Sequence, residues 1–118
     1  MTQKDLFNEI NANASLVDIQ FYVKNVIALR GFEKQSAQSN MLLLLEEIGE
    51  LSKAIRKLSP EMSIDETMLH RYDTVESEVA DVFIVLLSVC NTLNISLYDT
   101  FKEKEASNIE RNWTINKE

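Results

Sequence analysis

Residues 44–58 read LLEEIGELSKAIRKL and residues 75–89 read VESEVADVFIVLLSV. The second stretch repeats the first at an offset of 31 residues. Leu44, Glu47, Ile48, Glu50, Leu51, Ile55 and Leu58 align with Val75, Glu78, Val79, Asp81, Val82, Leu86 and Val89. Apolar residues at three- and four-residue spacing mark an amphipathic helix, so each stretch is expected to be helical and the two to pack together. At about 100° per residue, Glu47 and Glu50 fall roughly 60° and 120° from the centre of their stripe. Glu78 and Asp81 hold the same offsets on the other helix. Both acidic pairs are therefore expected at the rims of the packing faces, where they can meet. Converging anions need a compensating positive charge, and a divalent cation held by oxygen ligands supplies it. A single Glu-x-x-Glu ordinarily means a solvated surface pair; the matched offset on two helices is what points to a site.

Working outward, 118 residues suit one domain with a modest core. Two glycines and one proline leave little punctuation, which favours an all-α fold. A net charge of −7 argues against a nucleic-acid-binding surface and admits a small anionic ligand where metal ions screen it. Cys90, alone inside an apolar helix, is expected to fill core space. The stretch MTQKDLFNEINANA has no apolar core of a secretory signal, and the apolar run Val82 to Leu87 is far too short to span a membrane. A cytoplasmic protein without membrane partners is the expectation.

Residues 1–14 are expected to form a short helix or a loose arm. Ser15 with Asp18 has the form of a capping box and opens a first long helix that runs to about Leu29 and ends at Arg30-Gly31. A second covers about 39–58 and stops before Pro60. The connection 59–73 holds one possible turn at Ser63 with Glu66. A third helix covers about 74–93, and a fourth, capped by Ser96 with Asp99, covers about 97–112. Residues 15–113 thus make the domain and 114–118 a tail. On the fourth helix Leu97, Phe101, Lys104, Asn108 and Arg111 share one stripe that changes from apolar to cationic, and it is expected to face inward. Lys and Arg suit phosphate oxygens; two cations near a helix end also complement its dipole.

Taken in order, Glu46-Glu47-Ile48-Gly49-Glu50, then Glu78-Val79-Ala80-Asp81, then Lys104-x-x-x-Asn108-x-x-Arg111 resemble the MazG-like all-α nucleoside triphosphate pyrophosphohydrolases over about residues 16–113. The flanks agree: Gly49-Glu50-Leu51, and Asp81 followed by Val82-Phe83-Ile84-Val85-Leu86. The resemblance implies a four-helix bundle whose core is completed by assembly into a homodimer or homotetramer. It implies hydrolysis of a nucleoside triphosphate to monophosphate and pyrophosphate, with Mg²⁺ (or Mn²⁺ in its place) on Glu47, Glu50, Glu78 and Asp81. Beside that set, Glu46 is expected as an outer carboxylate or the base for the attacking water. Lys104 and Arg111 would hold phosphates, Asn108 a phosphate or sugar oxygen. Candidates for touching the base are Phe32, Gln35, Ser36 and Trp113, the last by stacking.

Two other readings stay open on the residues. Phosphoribosyl-ATP pyrophosphohydrolases have similar paired acids but typically carry Tyr-His soon after the second motif, where this chain has Val82 to Val85. A non-catalytic helical interaction protein with a residual metal site would bind cation and release no pyrophosphate. A di-iron bundle needs Glu-x-x-His pairs, and the sole histidine, His70, lies in the long connection.

Overall fold

A computed structural model of the chain describes residues 1–59, 63, 67 and 74–114. Among the described residues the chain is all-α, with helices α1 (Gln3–Glu9), α2 (Leu16–Leu29), α3 (Ala37–Arg56), α4 (Val75–Thr92) and α5 (Leu97–Ile109). Helices α2 to α5 are the four expected from the sequence, and α1 is the short helix left open there. His70 and Glu66, the expected partner of Ser63, lie outside the described residues, as do residues 115–118.

Short polar side chains start all five described helices. Thr2 and Asp5 close a reciprocal capping box on α1, with N···O distances of 3.1 and 2.9 Å, a signal the sequence contains and the reading above passes over. Ser15 and Asp18 do the same for α2 at 3.0 Å each way. The hydroxyls of Ser36, Thr74 and Ser96 accept from the amides of Ser39, Ser77 and Asp99. Each such cap satisfies amides that the first turn leaves without a helical partner. The helix α2 ends on Gly31 at φ 85°, with the amides of Phe32 and Gly31 donating to the carbonyls of Ile27 and Ala28. This double closure needs a left-handed residue just past the helix. Asn94, φ 55°, plays the same part after α4, where Ile95 N–H donates to the carbonyl of Cys90.

The helices α3 and α4 form the principal packed pair. They run antiparallel, since Met41, Leu42 and Leu45 share a hollow with Val89 and Leu93, while Glu47 lies beside Glu78 and Asp81. The helix α2 packs on α4, and α1 and α5 both rest on α2. The buried apolar residues among those described are Val23, Val26, Leu44, Ala54, Leu87 and Cys90. Burial also pushes the Cys90 thiol up, in keeping with an inert core cysteine.

The face that α3 turns to α4 differs from the expected one. Asn40, Leu44 and Ala54 are buried and Glu47 and Leu51 half-buried, whereas Ile48, Ile55 and Leu58 are exposed. On α4 Glu78, Leu87, Ser88 and Cys90 are buried and Val79 is exposed. Both helices are rotated so that the acids turn toward the seam and part of the apolar stripe turns out. On the side of the seam away from α2, the apolar surface includes Met41, Leu45 (57 % exposed), Ile48 and Leu93. The total surface is 9273 Å², against about 6,600 Å² for a compact monomer of 13.6 kDa. The radius of gyration is 17.9 Å, against about 13.5 Å for a compact chain of this length.

So much apolar surface on so thin a core predicts self-association. At micromolar concentration, light scattering should give a dimer or larger. Leu45→Glu, a helix-compatible change at an exposed position, should shift the population toward monomer while far-UV circular dichroism keeps its helical shape. A wild-type monomer would contradict this.

Candidate metal centre

Facing turns of the antiparallel pair bring three of the acids together. Glu47 of α3 and Glu78 and Asp81 of α4 each place a carboxylate oxygen within 4.8 Å of the others. Three residues separate Glu78 from Asp81, so both project from one side of α4. Glu47 meets them because the seam carries α3 residues at three- and four-residue spacing. The acids are not equally placed. Glu78 is 2 % exposed, Glu47 and Asp81 are half-buried, and Glu50 and Glu46 are exposed. Glu78 was expected at the rim; the rotation of α4 takes it into the seam instead. Glu50 falls outside the tight trio, one helical step around α3.

The electrostatics follow from this placement. Loss of solvent pushes the Glu47 carboxyl above its ordinary 4.5, and the negative charges of Asp81, Glu46 and Glu50 add to the push. Like charges held close resist ionisation together. The donor set is carboxylate oxygen only, which suits a hard divalent cation. Glu47, Glu78 and Asp81 can hold such an ion, with Glu50 within electrostatic reach of it.

The expected phosphate-binding stripe on α5 is placed differently. Phe101, Lys104 and Arg111 are exposed, and Leu97 and Asn108 half-buried. The axes of α4 and α5 meet at 95°, which carries α5 off the α3/α4 seam and onto α2. A hydrogen-bonded corner fixes that turn. Gln20 Nε2 donates to Asn91 Oδ1 (2.9 Å) and to the Ile95 carbonyl (2.7 Å), and Gln20 Oε1 accepts from Leu97 N–H (3.0 Å). The inward stripe is thus corrected: in the single chain it does not point into the bundle. Asn108 Nδ2 donates to Glu105 at 2.7 Å, and Asn108 Oδ1 accepts from Arg111 at 3.3 Å. Trp113 Nε1–H donates to the Asn108 carbonyl at 3.2 Å, and its ring lies under the Arg111 guanidinium at 4.8 Å. Trp113 therefore closes the end of α5.

Of the other candidates for base contact, Ser36 is used as the N-cap of α3. Phe32 and Gln35 line a cavity of about 290 Å³ with Asn40, Leu43, Ile84 and Ser88. Asn40 and Ser88 are polar residues the sequence reading did not single out. The available signal was position: Asn40 stands seven residues before Glu47 and Ser88 seven after Asp81, each two turns away on the same face.

The raised Glu47 carboxyl sets a pH dependence. A proton is held more tightly by the folded than the unfolded chain, so metal-free stability falls as pH rises from 4.5 through the folded value. Cation binding needs the ionised carboxylates and opposes that fall. Mg²⁺ or Mn²⁺ should raise the melting temperature more at pH 7.5 than at pH 5. Glu47→Gln should raise the metal-free melting temperature and remove most of the metal increment. Equal increments in the variant and wild type would take Glu47 out of the ligand set.

A family model, that of the MazG nucleotide pyrophosphohydrolase domain, matches residues 35–113, from the turn before α3 to just past α5. No curated protein matches the chain, and no solved structure does.

Proposed function

The chain belongs to the MazG nucleotide pyrophosphohydrolase family, and on that premise we propose that it hydrolyses nucleoside triphosphates to monophosphate and pyrophosphate with Mg²⁺ on its acidic cluster. The supporting observation is the convergence of Glu47, Glu78 and Asp81 within 4.8 Å across the seam. A triphosphate is itself polyanionic, and an all-acid site accepts it only through cations.

A bound divalent ion supplies charge neutralisation and Lewis acidity at the phosphates. The residues of the chain do the rest. Glu47, Glu78 and Asp81 fix the ion's position, and Glu50, next along α3, completes the set. Glu46 is exposed beside the cluster and takes the proton from the attacking water. The water oxygen bonds to the α phosphorus, the bond from that phosphorus to the α–β bridging oxygen breaks, and pyrophosphate leaves. Lys104, Asn108 and Arg111 stabilise the charge on the leaving group. They are exposed in the single chain apart from half-buried Asn108, and in the assembled homo-oligomer they close over the phosphates. The biological setting that suits such chemistry is nucleotide-pool housecleaning.

A panel of canonical and modified nucleotides assayed for pyrophosphate should give release from at least one of them, abolished by excess EDTA. Activity that persists in the chelator would sink the metal-dependent reading. Single changes Glu47→Gln, Glu50→Gln, Glu78→Gln and Asp81→Asn should abolish turnover while the helical signal remains.

Lys104→Ala and Arg111→Ala should lower turnover while leaving metal binding in place. Loss of one charge-assisted contact costs about 1.5–3 kcal/mol, or about one to two decades in kcat/KM. Variants of both residues with wild-type kcat/KM would reduce the stripe to a helix end dressed with cations.

A further inference from the structure

Lysine ordinarily stays in solvent, and Lys4, Lys24, Lys34, Lys102 and Lys104 are exposed. Lys53, in the last turn of α3, and Lys57, its C-cap, are half-buried instead. They continue a stripe that begins at the acids. Glu46, Glu50, Lys53 and Lys57 follow one another at spacings of four, three and four, so they share one side of the helix. At about 100° per residue, Glu50, Lys57 and Lys53 stand roughly 60°, 80° and 120° around α3 from Glu47, all to one side. Leu43 lies on that side too, and it shares a hollow with Ile27 of α2 and Ile84 of α4. The stripe therefore runs along the α2 side of the seam, opposite the exposed apolar surface of Met41 and Ile48.

Position along the seam brings the two lysines to one end of the acidic cluster. Glu47 lies beside Glu78 and Asp81, and the helices run antiparallel, so α3 passes the first turn of α4 beyond Glu50. Along the helix axis Lys53 is about 4.5 Å from Glu50 and Lys57 about 10 Å. The N-terminus of α4, the positive end of its dipole, stands near the level of Lys53. Glu76, an acid of that first turn, is exposed and lies about 160° around α4 from Glu78, away from the seam. One divalent ion against three ionised carboxylates leaves the cluster negative, so a polyphosphate bound there needs cations of the chain close by. Both lysines are engaged by neighbours in the free chain; an ammonium has three donors, and a bound anion adds to those contacts.

We infer that Lys53 and Lys57 hold the β and γ phosphates of the substrate and, once the bond to the α phosphorus has broken, the pyrophosphate product. This rests on the reaction proposed above and adds to it a set of phosphate contacts from the same helix as Glu47 and Glu50. A lysine ammonium is a point charge on a flexible stem, suited to a group that changes from bound phosphate to departing product. Lys104 and Arg111 reach the phosphates only in the assembled oligomer, whereas the register of α3 sets Lys53 and Lys57 beside the acids in every copy. The pair recognises the length of the phosphate chain and not the base, so it favours di- and triphosphates over a monophosphate.

Calorimetry with inorganic pyrophosphate and with nucleoside monophosphates, both in Mg²⁺ buffer, tests this. Lys53→Met and Lys57→Met keep the apolar stem and drop the charge. Each should bind pyrophosphate about tenfold more weakly than wild type, with monophosphate and Mn²⁺ binding unchanged. Lys53→Arg and Lys57→Arg should recover most of the lost affinity. Lys102→Met, at an exposed position on α5, should behave as wild type. A melting curve checks that each variant is folded; where a Met variant melts below the assay temperature, the Gln variant at that position takes its place with the same expected loss. Wild-type pyrophosphate affinity in both charge-free variants, with release from nucleotide intact in the wild type, would overturn the clamp and leave the reaction standing. Loss of Mn²⁺ binding together with pyrophosphate binding also overturns it, since the lysines then act through the acidic cluster. No pyrophosphate release from any nucleotide by the wild type would instead remove the reaction, and this inference with it.

Discussion

Repulsion among Glu47, Glu78 and Asp81 is the constraint around which the structure is arranged. Three carboxylates within 4.8 Å on a seam that buries Glu78 oppose the packing of the two helices that carry them. Apolar contact alone does not offset this well, because few side chains are fully buried between α3 and α4. A divalent cation on the cluster would change the sign of that interaction, so that the same acids would draw the helices together. On the proposed function, stability, pH response and chemistry would then depend on one event. The Glu47 carboxyl, raised by lost solvent and by the neighbouring acids, is the metal-free mark of that crowding.

That arrangement has a structural consequence. By turning the acids and Asn40 toward the seam, α3 and α4 turn Ile48, Ile55 and Val79 outward. Apolar residues that would otherwise add to a monomeric core are left on the surface, in keeping with the few buried apolar residues among those described. The acidic cluster and the exposed apolar surface are two results of one helix rotation. The 95° corner after α4, pinned by Gln20, likewise lifts the cations of α5 away from the seam of its own chain.

Much of this was legible in the sequence. The repeat at 44–58 and 75–89 identified the two helices and their facing acids. Capping pairs such as Ser15 with Asp18 placed a helix start, and Gly31 placed a helix end. These features are local, and local spacing is what a sequence displays. The rotation was not legible, because the apolar stripe and the true seam share Leu44 and Leu51 and differ only in their other members. Which side wins depends on what covers the rest, and that is tertiary. The corner at Gln20 pairs residues more than seventy apart, beyond any spacing rule, so the α5 stripe was read as inward when it is exposed. Asn40 passed unnoticed as part of a polar lead-in, although its seven-residue step to Glu47 placed it on the acid face.

The central claim is that α3 and α4 jointly hold a divalent cation, and binding of Mn²⁺ followed by electron paramagnetic resonance tests it most directly. At neutral pH the free Mn²⁺ signal should fall as protein is added. Glu78→Gln and Asp81→Asn, on α4, should each restore the free signal, as should Glu47→Gln on α3. Glu110→Gln, at the exposed end of α5, should behave as wild type. Undiminished Mn²⁺ binding after loss of acids from both helices would contradict the account.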